Sequence, residues 1–140
     1  MTIDNCRDLT LKMSMNKAGR RLTSQRLAIL NYLRGVTTHP TCEMIYKELK
    51  DEMPKLSLAT VYRNVKYLVD NNLVLQIKGD DGKTHFDGNT TAHLHLICKQ
   101  CKKIYDIWTK KIPAFNGIKE VAEIDNIDCT IYGTCYKCKK

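Results

Sequence analysis

The chain's 140 residues, 43% of them hydrophobic and 27% charged, describe a soluble globular protein with one ordinary core or two small ones joined by a short hinge. No apolar run approaches the roughly 18–20 residues of a membrane helix, and Asp4, Arg7 and Asp8 interrupt the apolar centre of a secretory signal, so a cytoplasmic location with no membrane partner is expected. The net charge of +8 suits a polyanionic partner without demanding one.

Taken in chain order, the first half reads as helices. Thr23 can cap a helix that carries Leu27, Leu30 and Leu33 on one side. Thr41 can cap a second, with Met44, Ile45, Glu48 and Leu49, which Pro54 ends. Ser57 opens a third, in which Leu58, Val61, Val65 and Leu68 recur at helical spacing and face inward. After Asn71-Asn72 the period changes to that of strands. Leu73 to Lys78 and Thr84 to Asp87 form a hairpin around Gly79-Asp80-Asp81-Gly82. Three helices followed by a hairpin is the order of a winged helix. The second half alternates short strands (His93–Ile97, Ile104–Trp108, Cys129–Tyr132) with one helix near Pro113–Ala122.

The outward side of the third helix offers the donors and small residues that a major-groove reader needs. Arg63 can fork onto a guanine edge and Tyr62 can touch a thymine methyl, while Ser57 and Thr60 can hold phosphates. Arg20, Arg21 and Arg26 stand at the entrance to the first helix, where backbone phosphates would lie. The same side chains also describe an ordinary solvated helix face; the hairpin that follows favours DNA.

Seven cysteines, an odd number, argue against a disulfide framework. Four form two C-x-x-C pairs, Cys98/Cys101 and Cys135/Cys138, the spacing that lets two thiolates of one turn reach the same zinc. Four protein ligands leave no open coordination position, so this zinc is structural. Two disulfides or redox motifs are the alternative. Cys6, Cys42 and Cys129 are read as buried or incidental.

A second donor set contains no thiolate. His93 and His95 alternate on one strand and share a face. Asp106 lies on the next strand, Asp87 just before the hinge, and His39 precedes Pro40 ahead of the second helix. Three imidazoles and two carboxylates suit Fe(II) or Mn(II) better than Cu(I), although zinc could still bind. His39-Pro40 is equally the sequence of a plain turn, and His85, a further candidate, reads as a wing residue.

With these residues quoted, the chain resembles the ferric uptake regulator superfamily, and most closely its peroxide-sensing repressor branch. The resemblance runs from Leu22-Thr23-Ser24-Gln25-Arg26 to Cys138, through His39-Pro40-Thr41, Ser57-Leu58-Ala59-Thr60-Val61-Tyr62-Arg63 and Ala92-His93-Leu94-His95-Leu96-Ile97-Cys98 with Cys101. It implies an α+β fold with an N-terminal winged-helix DNA-binding domain over residues 1–84, a hinge over 85–92, and a small C-terminal α/β dimerisation and metal-binding domain over 93–140. It also implies a homodimer on a palindromic double-stranded operator, a structural zinc on the four cysteines, and a regulatory Fe(II) or Mn(II) on His39, Asp87, His93, His95 and Asp106. Aspartate at both carboxylate positions is similar to the peroxide sensors, in which a ligand histidine is oxidised, here His39 or His93. Arg63 departs from that branch, where asparagine is common, and is similar to the iron-uptake repressors instead. An iron-level repressor is therefore the alternative. A metal-dependent enzyme built on the three histidines lacks a phosphate loop, a nucleophile elbow and a spare acid–base pair, and a metal store would leave the winged helix unused.

Overall fold

The computed structural model describes residues 22–109 and 129–139. Arg20, Arg21, Cys6 and the helix expected near Pro113–Ala122 lie outside them. The described chain divides into two compact units. The first runs to Thr90 without the turn Gly79–Gly82, and the second comprises that turn and the residues from Thr91 onward.

The first unit holds α1 (Ser24–Gly35), α2 (Cys42–Leu49) and α3 (Leu58–Asp70), then β1 (Leu75–Lys78) and β2 (Thr84–Asp87). Each helix starts where a hydroxyl satisfies an otherwise orphaned amide. Thr23 accepts from the Arg26 amide, Thr41 from Met44 and Ser57 from Thr60, at 3.3, 3.3 and 3.1 Å. Ile29, Leu30 and Leu33 of α1, Ile45 of α2, and Val61, Val65 and Leu68 of α3 form one core with Val74 and Phe86. Leu27, expected on the inward stripe, is only half-buried and Ile29 takes its place. The core contacts of α1 therefore centre one position away from a simple every-third count.

The first strand also starts later than its apolar run suggests. The Leu73 amide donates back to the Leu68 carbonyl at 2.9 Å, and Asn72 adopts φ +56°. This left-handed closure of the helix end uses up the backbone of Leu73 before pairing can begin. From Leu75 the hairpin is regular, with Leu75 opposite Asp87 and Ile77 opposite His85.

The second unit is a three-stranded sheet in the order β4-β3-β5, with β3 at Leu94–Cys98, β4 at Ile104–Ile107 and β5 at Thr130–Gly133. Strands β3 and β4 are antiparallel, and β3 and β5 are parallel. Ile97 and Ile104 are buried here. No helix among the described residues is long and apolar enough to cross a membrane.

Candidate metal centres and nucleic-acid interface

The four paired cysteines meet because β3 lies between its two partners. Cys98 ends β3 and pairs in register with Gly133 of β5, whose carbonyl accepts from the Lys99 amide at 2.8 Å. That parallel ladder carries Cys135 and Cys138 to the turn holding Cys101. The turn closes through Lys102 to Cys98 at 2.9 Å and Cys98 to Lys103 at 3.0 Å. The four sulfurs lie within 4.8 Å of one another, and Cys101 and Cys135 are 3.8 Å apart. A tetrahedron with zinc–sulfur bonds near 2.3 Å has edges of about 3.8 Å, so the cluster has the size for zinc.

Its hydrogen bonds favour thiolate at Cys98 and Cys135. The Cys135 amide donates to the Cys98 sulfur at 3.4 Å, and this hydrogen bond, joined by others from the Cys101 turn, pulls the Cys98 thiol down to about 6. The Tyr105 hydroxyl donates to Cys135 and lowers that thiol too. Cys138, which shares its hydrogen with Cys135 and is partly desolvated, is pushed up to about 12. One cluster thus holds both readily ionised and proton-retaining thiols, and a divalent cation is what lets all of them ionise. The described cysteines are free thiols. Cys42 belongs to the core, where burial and then the nearby Glu43 charge push its thiol up to about 12.

The histidine and carboxylate donors fall into two groups, one in each unit. In the first, His39 and Asp87 are 2% and 5% exposed, with Nε2 to Oδ2 at 3.6 Å. His39 has φ +50°, the left-handed region that costs most residues strain. Strand β2 holds it there: the Phe86 amide donates to the Pro40 carbonyl at 3.0 Å, and His85 Nδ1 donates to the His39 carbonyl at 2.6 Å. Asp87 is fixed from the other side, since its Oδ1 accepts from the Asn89 amide at 2.8 Å. Next to it, a Cβ on Gly88 would stand 2.5 Å from the Leu33 carbonyl carbon. Glycine alone lets the chain pass that close to the end of α1.

In the second unit His95 pairs in register with Asp106, and His93 shares its face. Asp106 Oδ1 lies 3.1 Å from His93 Nε2 and 3.4 Å from His95 Nε2, and the two Nε2 atoms are 3.0 Å apart. His93 Nδ1 donates to the Thr91 carbonyl, which leaves the Nε2 lone pair directed at this cluster. The Trp108 indole stacks on His93, ring centroids 4.6 Å apart and planes 24° from parallel. Nitrogen and oxygen donors without thiolate suit a first-row divalent ion in an oxygen-rich set. Sequence reasoning set His85 aside as a wing residue and passed over Trp108. Strand alternation was their signal, since His85-x-Asp87 and Asp106-x-Trp108 each put two side chains on one face.

Helix α3 shows Tyr62, Arg63 and Lys66 to solvent. Ser57 Oγ and Thr60 Oγ1 are 2.7 Å apart, and Arg63 Nη2 donates to Thr60 at 3.3 Å, so the guanidinium is tethered to the start of its own helix. Tyr62 donates to Glu43 of α2; this bond holds the Glu43 carboxyl below its ordinary range and pushes the phenol up to about 12. A cavity of about 460 Å³ opens between α3 and the hairpin, lined in part by Tyr62, Arg63, Lys66, Gln76 and Thr84. The Arg26 guanidinium lies 3.7 Å over the Tyr67 ring.

Comparison with known proteins accords with this arrangement. The model of the ferric uptake regulator family matches residues 17–132. The peroxide-responsive repressor PerR of Staphylococcus aureus (strain USA300) is 39% identical over 132 residues, covering 90% of this chain and 87% of that protein. Among solved structures, the Campylobacter jejuni peroxide stress regulator superposes with a TM-score of 0.69 at 28% identity, covering 99% of this chain and all of its own. The Helicobacter pylori ferric uptake regulator Fur, at 21% identity and TM-score 0.71 over the full length of this chain and 95% of that one, shares the fold. The chain belongs to the ferric uptake regulator family.

Proposed function

We propose that this metal-dependent, DNA-binding transcription repressor, which is not an enzyme, senses hydrogen peroxide. The observation that carries the reading is the donor chemistry: histidines with aspartate at both carboxylate positions, Asp87 and Asp106, and no thiolate. The 39% identity to a peroxide-responsive repressor supports it. In this reading His39, Asp87, His93, His95 and Asp106 close on one Fe(II) or Mn(II), while Cys98, Cys101, Cys135 and Cys138 hold a structural zinc.

Fe(II) held by these residues would activate peroxide with no net change in the ion's oxidation state, and the two electrons that reduce the peroxide come from a ligand imidazole. The imidazole of His39 or His93 takes up one oxygen atom at a ring carbon, and the other oxygen leaves as water. A histidine so changed no longer donates as before, and the donors of the two units separate. Because the ion favours the DNA-competent arrangement, its loss weakens operator binding. The winged helix spans 1–84, the hinge 85–92 and the dimerisation domain 93–140. In the dimer two copies of α3 read successive major grooves roughly 34–36 Å apart. Arg63 and Tyr62 read bases, and Arg20, Arg21, Ser57 and Thr60 hold the backbone. The protein works in the cytoplasm.

A gel shift on palindromic AT-rich DNA tests the core of the reading. Retardation is expected with Mn(II) and not after its chelation; metal-independent binding would reject it. Arg63→Ala should weaken operator binding by about 1–3 kcal/mol and relax one base position. Loss of a phosphate contact would instead reduce the salt dependence alone, a difference that titrations at several salt concentrations read directly. Arg63 also favours a second reading, an iron-level repressor, because it stands where iron-uptake repressors carry arginine.

A further inference from the structure

We propose that His85 is a positioning residue for His39, holding that ligand's backbone in place and tying it to the hairpin that follows the reading helix. The inference rests on the reading of His39 as a ligand and goes beyond it.

Four observations within the first unit converge on this pair. His39 has φ +50°, a conformation that persists in a non-glycine residue only where its surroundings impose it. The imposing contact is short and partly buried: His85 Nδ1 to the His39 carbonyl at 2.6 Å. A carbonyl only accepts, so Nδ1 is the donor. The next residue repeats the link, with the Phe86 amide on the Pro40 carbonyl at 3.0 Å. The strand carrying both links also carries Asp87, whose carboxylate faces the His39 ring at 3.6 Å. Strand β2 therefore sets the His39 backbone through residues 85 and 86 and meets its side chain through residue 87.

Strand β2 is also half of the hairpin, where His85 stands opposite Ile77. Any displacement of His39 away from β2 must break the His85 bond or drag the hairpin with it. His85 thus acts on the metal through His39 and not as a donor.

The test compares His85→Ala, His85→Asn and His39→Ala in the full-length zinc-loaded protein, with Mn(II) affinity read by competition against a fluorescent chelator. Asparagine places an amide donor where the imidazole Nδ1 stood but is a poor replacement for an imidazole ligand. His85→Ala is expected to lose about 10–100-fold in Mn(II) affinity, the usual effect of removing a partner that orients a ligand. His85→Asn should restore most of it, and in the His39→Ala background His85→Ala should add nothing further. Zinc content and thermal melting, followed in parallel, report any general loss of folding, which asparagine would not selectively repair. Wild-type affinity in His85→Ala, or equal weakness in both His85 variants, would overturn the proposal; the second result would make His85 itself a donor. If His39→Ala leaves Mn(II) affinity unchanged, the ligand reading fails instead.

Discussion

Fe(II)-loaded protein treated with hydrogen peroxide is expected to gain the mass of one oxygen atom on the peptide containing His39 or His93 and to release its operator. The Mn(II)-loaded protein should do neither, since Mn(II) does not readily reduce peroxide. The informative variant is Asp106→Glu. Asp106 Oδ1 meets both His93 and His95 at 3.1 and 3.4 Å, so an added methylene must push the carboxylate past these nitrogens or turn it aside. Charge and ligand type are kept, and metal-dependent DNA binding should survive. A displacement of about 1 Å can cost roughly 100-fold in rate, and a loss of about that size in histidine oxidation is expected. Peptide mass mapping and a gel shift on the same sample separate the two effects. Unmodified histidines with intact repression in the wild type would reject peroxide sensing and leave the iron-level repressor.

The other large effect concerns the four-cysteine cluster. Cys98→Ser should lower zinc content to background and unfold or monomerise the second unit. Cys98 is fully buried at the end of the central strand, and its sulfur accepts the Cys135 amide. A serine hydroxyl supplies no thiolate there, and structural zinc sites carry about 10–16 kcal/mol of binding free energy that doubles as folding free energy. The second unit has few buried apolar side chains among its described residues, chiefly Ile97 and Ile104, and cannot absorb such a loss. The first unit has its own core from Leu22 to Phe86. Hydrogen exchange should therefore accelerate across β3, β4 and β5 while α1 to α3 keep their protection. Cys129→Ser is the control, since Cys129 is exposed and outside the cluster. A Cys98→Ser protein with normal zinc, stability and dimerisation would remove the cluster from its structural role.

Features encoded within a few residues were legible in the sequence alone. Thr23, Thr41 and Ser57 mark three helix starts because a short hydroxyl side chain reaches an amide three residues on. The period of Val61, Val65 and Leu68 marks the buried face of α3 for the same local reason. The hairpin was readable from its glycine-bounded turn, and the C-x-x-C spacing from the reach of two thiolates around one ion. Resemblance to a known family then assembled these pieces.

The tertiary structure decided what depends on distant backbone. Strand β5 pairs in parallel with β3, and nothing near residue 130 announces that partner, because a ladder is specified by both strands and the connection between them. Only that pairing brings Cys135 to Cys98. The same holds for β2, which reaches the His39-Pro40 loop through His85 and Phe86. His85 had read as a bystander on the wing, since its hydrogen-bond partner lies 46 positions away along the chain. Local propensity sets which segments are helix or strand; which carbonyl a given imidazole meets is set by packing, and packing is a property of the whole unit.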